Sequence, residues 1–547
     1  MRILAYNVAH DSSVCVLNDG KLEFFCKEER LSRAKRASNP ILSIEHYFDN
    51  FKDRFIDYSL FLVPTHTNVS VLNNELYKQV VSKKSSSVKV FEDYSHDNHH
   101  NCHAWLAYIN SPFRTCLVFV VDRNGSSVID RDRLVASESE SVYLFNNEIK
   151  CSPLLKNFHV TQGIDLQTVK TIVSKKYSNI DVSYFSIAKV YEAATTLIGQ
   201  HPLDSGKTMG LSSYGTPNTT TNYFDKNGRV IDFHFGHNSL DFTVFKEHRN
   251  RTTKNITKDN YHFYADRALE VQVQTQQQLL NLVDKYVSLT GINNVCIVGG
   301  YGLNVVANNF LLKQLKHVNF YFEPVSDDTG ISLGACYKKH FEVTGEIPQK
   351  PESAFYHYYV PEPSPKGQYT TIDNLVDLLV SQKSLGIFDS SPEPGPRALG
   401  RRSILFDPRN KDGKEIVNKI KKREWYRPFA GVILKEHFSK YFDTLGLDSS
   451  NHMTITFESN ELSKNLVPSI IHVDGTCRIQ TVDESCGLIF ELLHNFYKTT
   501  GCPMLLNTSM NLAGQPLVHT KENALELFNS SDLDCILFVD DMMLLSK

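Results

Sequence analysis

Apolar positions in this chain follow two rhythms: short runs of strand character closed by turn residues, and longer stretches in which they recur every three or four residues. RILAYNVAH and SVCVLNDGKLEFFCKEER open the chain. Between their β-rich runs, Asn18-Asp19-Gly20 supplies the positive backbone angles of a tight turn and predicts a hairpin. A comparable unit starts at CLVFVVDRNGSSV, where an apolar strand ends on Asp122 and runs into Asn124-Gly125 before the strand-like YLFNN. Two such acidic strand-turn units predict a duplicated α/β core. Helical periods follow at 187–199 and in ALEVQVQTQQQLLNLVDKYVSLTG, which closes on Gly291 as helix C-termini do. NVCIVGGYGLNVVANNFLL then reads as a buried strand, a Gly299-Gly300 loop and a helix, and VNFYFEPVSDDTGISLGACY repeats that order. Five prolines and the lack of a long apolar run between residues 346 and 367 predict a linker, leaving 1–345 and 368–547 as two domains.

Composition narrows the class. With 547 residues, 41% hydrophobic and 22% charged, and 33 Phe and 25 Tyr, the chain has material for several packed cores and is not disordered. The 58 Lys and Arg against 61 Asp and Glu exclude a surface that binds nucleic acid by overall charge, so any basic site is local. Eleven cysteines without a CxxC pair fit reduced thiols and predict a cytoplasmic protein. Apolar runs such as CLVFVV fall well short of the roughly 20 residues that span a bilayer, and MRILAYNVAH has no signal-peptide layout.

Several clusters could carry chemistry. His99 and His103 in SHDNHHNCHAW are four residues apart, so on a helix their imidazoles share a face and could hold one metal ion. Asp122 and Asp328 could complete a nitrogen and oxygen shell that suits Fe, Mn or Zn better than Mg. The alternative is a solvated, His-rich surface. His10, followed by Asp11 in AHDSS, is either a general base working near neutral pH or a structural strand-end histidine. The glycine-rich GKTMGLSSYG (206–215) and VGGYGLN (298–304) are neither a Walker A loop nor a GxGxxG fingerprint, and serve as phosphate cradles or as plain turns. Arg397, Arg423, Arg427 and Arg478 lie among Gly, Pro and aromatic residues and could converge on one small anion, or be solvated charge. Asn507, Thr508 and Ser509 follow an apolar strand as neutral hydrogen-bonding groups.

Taken in chain order, AHDSS, EERLSRAKR, HHNCHA, VVDRNG, GKTMGLSSYG, VGGYGLNVVAN, SDDTGISLGA, GPRALGRRSIL, KREWYRPFA, RIQTV and LLNTSMNLAGQPLV resemble the O-carbamoyltransferase family that includes the nodulation-factor, cephamycin and tobramycin carbamoyltransferases. The resemblance covers nearly the entire chain. It implies an N-terminal actin/hexokinase-like (ASKHA) domain and a YrdC-like α/β C-terminal domain. It further implies that carbamoyl phosphate loses phosphate in the second domain and that the carbamate attacks the α-phosphate of ATP. The products are carbamoyl adenylate and pyrophosphate, and the first domain passes the carbamoyl group to a hydroxyl. By the same resemblance His99, His103, Asp122 and Asp328 hold a metal, Fe(II) before Mn or Zn, with Mg accompanying ATP, and His10 is the general base. Lys35, Gly300 and Asn304 hold the nucleotide, and Arg397, Arg427, Arg478 and Asn507 hold carbamoyl phosphate. Gly431, Asn101, Cys102, Ser212 and Ser213 depart from the usual family residues without removing any of these groups.

The acceptor is less legible. Only 19 Ala, with 38 Lys against 20 Arg, points to an AT-rich genome and so to a phage or similar source, acting in the host cytoplasm. The resemblance, which extends to phage-associated relatives, implies a hydroxymethylated base in DNA or a nucleotide, with 5-hydroxymethylcytosine foremost, as the favoured acceptor alcohol, ahead of a sugar or secondary metabolite. Lys419, Lys421 and Lys422 are candidates for the local basic groove it needs, or part of the carbamoyl-phosphate domain or a solvated face. A tRNA threonylcarbamoylation enzyme and a non-catalytic ATP-binding regulator are the readings from other classes. A homodimer is the candidate assembly, and no membrane partner is expected.

Overall fold

The computed structural model describes residues 1–51, 55–63, 68–95, 97–130, 133–146, 151–160, 164–183, 186–217, 222–224, 233–235, 240–242 and 256–547. They form two compact units, Met1–Glu28 with Arg36–Glu352, and Glu29–Lys35 with Ser353–Lys547.

The first unit opens with β1 (Arg2–Asn7), β2 (Ser13–Asn18) and β3 (Lys21–Lys27), after which α1 (Glu28–Ser32) falls mostly in the second unit. The turn between β2 and β3 places Asp19 and Gly20 at φ 46° and 77°, the left-handed angles that the Asn-Asp-Gly signal predicts. Then come α2 (Ile41–Asn50), β4 (Phe55–Leu62), α3 (Asn68–Lys84) and β5 (Ser87–Asp93). The sheet they make runs β3-β2-β1-β4-β5, antiparallel through the hairpins and parallel from β1 to β5.

The second half of this unit repeats the plan. It holds α4 (His99–Asn110), β6 (Cys116–Val121), β7 (Ser127–Asp130), β8 (Arg133–Phe145), β9 (Cys151–Val160), α5 (Leu166–Ser174), β10 (Ile180–Ser183), α6 (Ile187–Leu197) and α7 (Ser205–Ser212). The two-stranded β11 (Phe233–Phe235) and β12 (Leu240–Phe242) precede α8 (Tyr261–Thr290), β13 (Asn294–Val298), α9 (Val305–Gln314), β14 (Asn319–Phe322) and α10 (Ile331–Thr344). Its sheet runs β9-β8-β6-β13-β14 with the same senses, extended by β10 beside β9 and by β7 beside β8. Two copies of one strand order make this an actin/hexokinase-like unit, and the duplication expected from the two acidic strand-turn units is present. The central β6 is buried at every position, as a strand covered on both faces must be.

This topology positions the chemistry. Segments that leave the carboxyl ends of the parallel strands β1, β6, β13 and β14 are where an α/β sheet gathers ligands. α4 crosses α10 so tightly that a Cβ added to Gly334 would stand 2.0 Å from the Cys102 carbonyl oxygen. The GKTMGLSSYG segment is largely the helix α7 and its turn rather than an open loop.

The stretch 346–367 does not behave as a free spacer. Gln349 donates its backbone N–H to Gly20 O at 2.8 Å within the first unit, while Tyr359 joins Phe388 and Phe538 in a core of the second. The second unit contains β15 (Gln368–Tyr369), α11 (Ile372–Val380), β16 (Leu385–Phe388), β17 (Arg402–Phe406), α12 (Gly413–Lys421), β18 (Ala430–Leu434), α13 (Phe438–Tyr441) and β19 (Thr456–Glu458). It ends with α14 (Glu461–Leu466), β20 (Thr476–Val482), α15 (Leu488–Thr500), β21 (Met504–Ser509), α16 (Lys521–Ser530), β22 (Cys535–Phe538) and β23 (Met543–Ser546). One nine-stranded mixed sheet runs β15-β23-β22-β16-β17-β21-β18-β20-β19. Residues 29–35 are fixed to this unit by arginines: Arg30 donates to the carbonyls of Glu393 (3.3 Å) and Gly395 (3.1 Å), and Arg33 to those of Leu517 (2.7 Å) and Pro516 (3.2 Å). Among the described residues no helix is long and apolar enough to cross a membrane.

Candidate functional sites

α4 begins at His99, so His99 and His103 lie one turn apart on one face, with ring centroids 5.2 Å apart. Asp122 directly follows β6, and Asp328 lies in the turn between β14 and α10. One ligand-type atom from each of the four falls within 4.8 Å of the others, and all four residues are buried. His99 Nε2 is 3.2 Å from Asp122 Oδ2 and 3.6 Å from Asp328 Oδ1, and His103 Nε2 is also 3.6 Å from Asp328 Oδ1. Gly300 N–H donates to the other Asp122 oxygen at 3.1 Å.

Burial opposes charge on His99, yet Asp328 and Asp122 hold it above the ordinary imidazole value. Burial likewise opposes charge on Asp122, but His99, His103 and His100 hold its carboxyl well below the usual range. Fully buried His103 has no hydrogen bond on either ring nitrogen, an expensive state for a polar group. Two imidazoles and two carboxylates, with one imidazole lacking any hydrogen bond, are a donor set that a first-row divalent ion fits.

Beside the cluster, His10 Nε2 is 3.7 Å from Asp328 Oδ2, and His10 Nδ1 is 3.1 Å from Asp11 Oδ2. Its side chain keeps 35% exposure, enough to meet a substrate. Burial lowers its pKa, but Asp328 and Asp11 outweigh that and raise His10 to about 9. Asp11 also meets Lys27 Nζ, which lies 3.7 Å from Asp327 Oδ2.

The proposed nucleotide residues are placed differently from one another. Gly299 needs its φ of 89°, and a Cβ there would stand 2.5 Å from Val121 O; Gly300 is exposed. Asn304 caps α9 by accepting from Ala307 N–H at 3.1 Å, and its amide pairs with that of Gln272 at 3.0 and 3.3 Å. Its side chain therefore has structural duties that the sequence reading did not assign. Lys35 belongs to the second unit, whereas Gly300 and Asn304 belong to the first.

In the second unit the sheet register sets Arg478, Ala430 and Asn507 side by side on β20, β18 and β21. Arg427 lies 3.6 Å from Glu424, and Arg423 donates to Asn418 Oδ1 and Pro428 O while its guanidinium covers Phe429 at 4.1 Å. Buried Lys421 donates to Ser509 Oγ (3.1 Å), Asn511 O (2.8 Å) and Asn511 Oδ1 (2.9 Å). Desolvation, reinforced by Arg423, Arg427 and Lys35, pushes Lys421 well below the lysine range. Desolvation with Arg427 does the same to Arg423, and desolvation with Arg423 and Arg427 lowers Arg478 to about 10. Arg397 sits in a loop built around buried Glu393, whose Oε1 accepts from the N–H groups of Leu399 (2.6 Å) and Arg401 (2.9 Å). Lys419 and Lys422 are turned to other partners, Asp532 at 2.9 Å and Ser530 O at 3.0 Å. The three lysines therefore form no common groove.

Comparison with known proteins decides the family. The description "Carbamoyltransferase N-terminus" matches residues 44–337, more than half of the chain, and "Carbamoyltransferase C-terminus" matches 376–546. This chain belongs to the carbamoyltransferase family. Nodulation protein NolNO of Sinorhizobium fredii is 25% identical over 96% of this chain and 77% of its own length, and nodulation protein NolO of Bradyrhizobium diazoefficiens is 27% identical over 80% and 77%. Full-length HypF in its phosphate- and nucleotide-bound form superposes with a TM-score of 0.35 at 13% identity, covering 63% of this chain and 56% of that one.

Sequence reading of this carbamoyltransferase missed Lys27 and Gln480. Gln480 stands two residues after Arg478 on β20 and so faces the same side of the sheet, which strand periodicity alone would have flagged. Lys27, at the end of a hairpin strand, carries no such signal.

Proposed function

We propose that this carbamoyltransferase is an ATP-dependent O-carbamoyltransferase that works in two stages. The second unit takes carbamoyl phosphate at Arg397, Arg427, Arg478 and Asn507, joined by Lys421 and Arg423. Water releases phosphate and leaves carbamate; the carbamate oxygen attacks the α-phosphorus of ATP, forming carbamoyl adenylate and expelling pyrophosphate. A hydroxyl oxygen then attacks the carbamoyl carbon, AMP leaves, and the hydroxyl proton passes to His10. Carbamate is a weak and short-lived nucleophile, so holding it against the nucleotide and away from water is most of the catalytic task.

Supporting this reading above all is the cationic cluster. Burial first, and then the like charges of Arg423 and Arg427, oppose the charge on Lys421 and Arg478, as burial and Arg427 do on Arg423, a frustration that a bound dianion relieves. In the first unit His99, His103, Asp122 and Asp328 would hold a divalent ion, Fe(II) in preference to Mn or Zn. Such an ion supplies positive charge to phosphate oxygens and to the developing transition-state charge. Asp11 orients His10 by accepting from Nδ1–H, and a divalent ion on Asp328 would offset the negative charge that keeps the imidazole protonated, freeing Nε2 to receive the proton. Gly300 lies beside Asp122 and is the backbone candidate for the nucleotide.

For the acceptor we favour 5-hydroxymethylcytosine in DNA or a nucleotide, because the Lys-rich, Ala-poor composition fits a phage source and the family resemblance extends to phage-associated relatives. The test incubates the chain with carbamoyl phosphate, ATP and Fe(II), with hydroxymethylcytosine DNA, its nucleotide or small alcohols, and follows products by mass spectrometry. Gain of one CONH unit on the base is the expected result. A gain only on a sugar or other alcohol overturns the acceptor, and absence of pyrophosphate release overturns the adenylation route.

A further inference from the structure

The amide orientations in the second unit form a chain with one consistent solution. Gln480 Nε2 donates to the carbonyl of Leu399 at 2.9 Å, and because a carbonyl only accepts, the Gln480 NH2 must face it. Gln480 Oε1 is then the atom that meets Asn507, and it requires the Asn507 NH2, which lies 3.0 Å away. That same NH2 reaches the Ala398 carbonyl at 3.4 Å, a second acceptor demanding the same orientation. Both carbonyls are held by the loop wound around Glu393. Asn507 is 1% exposed, so its side chain has little freedom to leave this arrangement.

The consequence falls on the other end of the amide. Asn507 Oδ1 is buried and without a hydrogen bond, and the residue stands one strand from Ala430 and two from Arg478 in one row of the sheet. A buried acceptor that its neighbours forbid to rotate is costly unless a donor arrives. In a pocket for carbamoyl phosphate the arginines answer the phosphate, and the group left to donate is the carbamoyl NH2.

We propose that Gln480 is a positioning residue for substrate specificity: it fixes the Asn507 amide so that its oxygen accepts the N–H of the carbamoyl group, and the site thereby rejects acyl phosphates that have none. The proposal rests on the carbamoyl-phosphate reading of this site and adds to it the means of telling carbamoyl from acetyl.

Phosphonoacetamide and phosphonoacetone are stable probes that differ at the carbonyl in NH2 against CH3, and inorganic phosphate reports the cationic part alone. Calorimetric titration of the full chain should favour phosphonoacetamide over phosphonoacetone by roughly tenfold to a hundredfold. Gln480→Met leaves the Asn507 amide with only its long 3.4 Å contact to the Ala398 carbonyl, too weak to hold it against turning, and should abolish that preference while keeping phosphate affinity, which also reports an intact fold. Gln480→Glu keeps an acceptor for Asn507 and should weaken all three probes together, preserving the ratio. A preference that survives Gln480→Met, or is absent from the unaltered chain while phosphate binds, overturns the proposal and leaves the anion site standing. If Arg478→Ala changes none of the three affinities, the carbamoyl-phosphate reading itself fails, and the proposal with it.

Discussion

Lys27 Nζ lies 2.8 Å from Asp11 Oδ1, and the second oxygen of the same carboxylate faces His10 Nδ1 at 3.1 Å. Burial disfavours the Asp11 charge, but Lys27 and His10 keep it ionised. Lys27→Met removes a nearly buried counter-charge and is expected to cost about 3 kcal/mol in urea denaturation. It should also slow acceptor transfer by about tenfold or more in single-turnover assays, because the imidazole loses its fixed orientation. Binding of carbamoyl phosphate, which we propose for the second unit, should not change. An unaltered transfer rate would detach Lys27 from the chemistry.

Removal of His103 separates two roles. In metal-stripped protein His103→Leu deletes an imidazole that has no hydrogen bond, so stability should shift by no more than about 1 kcal/mol. Retention of Fe(II), measured by elemental analysis after anaerobic loading, should fall on the order of a hundredfold, as it should for Asp122→Asn. A large loss of stability with undiminished metal retention would contradict the assignment.

Glu323 sets a pH dependence. Burial raises its carboxyl to about 7, although Val325 N–H, Asn110 and Tyr321 donate to it and pull the other way. The folded chain thus keeps a proton that the unfolded chain releases near the ordinary glutamate value. Its contribution is complete below that value and is lost as pH rises through about 7, a decline on the order of 3 kcal/mol. Urea midpoints from about pH 5 to about pH 8 should fall for the native sequence and fall less for Glu323→Gln.

Gly334 tests the helix crossing beneath His99 and His103. Since its added Cβ would stand 2.0 Å from the Cys102 carbonyl, Gly334→Ala must displace α4 or α10. A loss of about 2 to 3 kcal/mol is expected, with weaker Fe(II) retention, because His99 and His103 ride on α4. Equal retention in the variant would show that the ligands do not depend on this crossing.

Much of this was readable before the fold. The spacing of His99 and His103 needed only a helix to become a pair, and α4 starts on His99. Gly291 ends α8 with a φ of 71°, as the helical period ahead of it predicts. Asp122 and Asp328 are far apart in sequence but meet because β6, β13 and β14 are parallel neighbours, a relation that two similar acidic strand-turn units only hint at. Lys421 was harder. Within KIKKRE its charge reads as solvated, and it is buried because Ser509 and Asn511, some 90 positions later, supply oxygens for it. The packing of 346–367 was also hidden, because proline marks where regular structure stops and says nothing about what the extended chain then lies against.

Residues 29–35 are made well ahead of the rest of their unit, which resumes at Ser353. No single cut in the polypeptide therefore yields both units whole, and a gene split at the apparent boundary would leave the second product without its Arg30 and Arg33 anchors. On the ribosome those two arginines must wait for the carbonyls of Glu393, Gly395, Pro516 and Leu517 to emerge, so the second unit is completed only after Leu517 has been made.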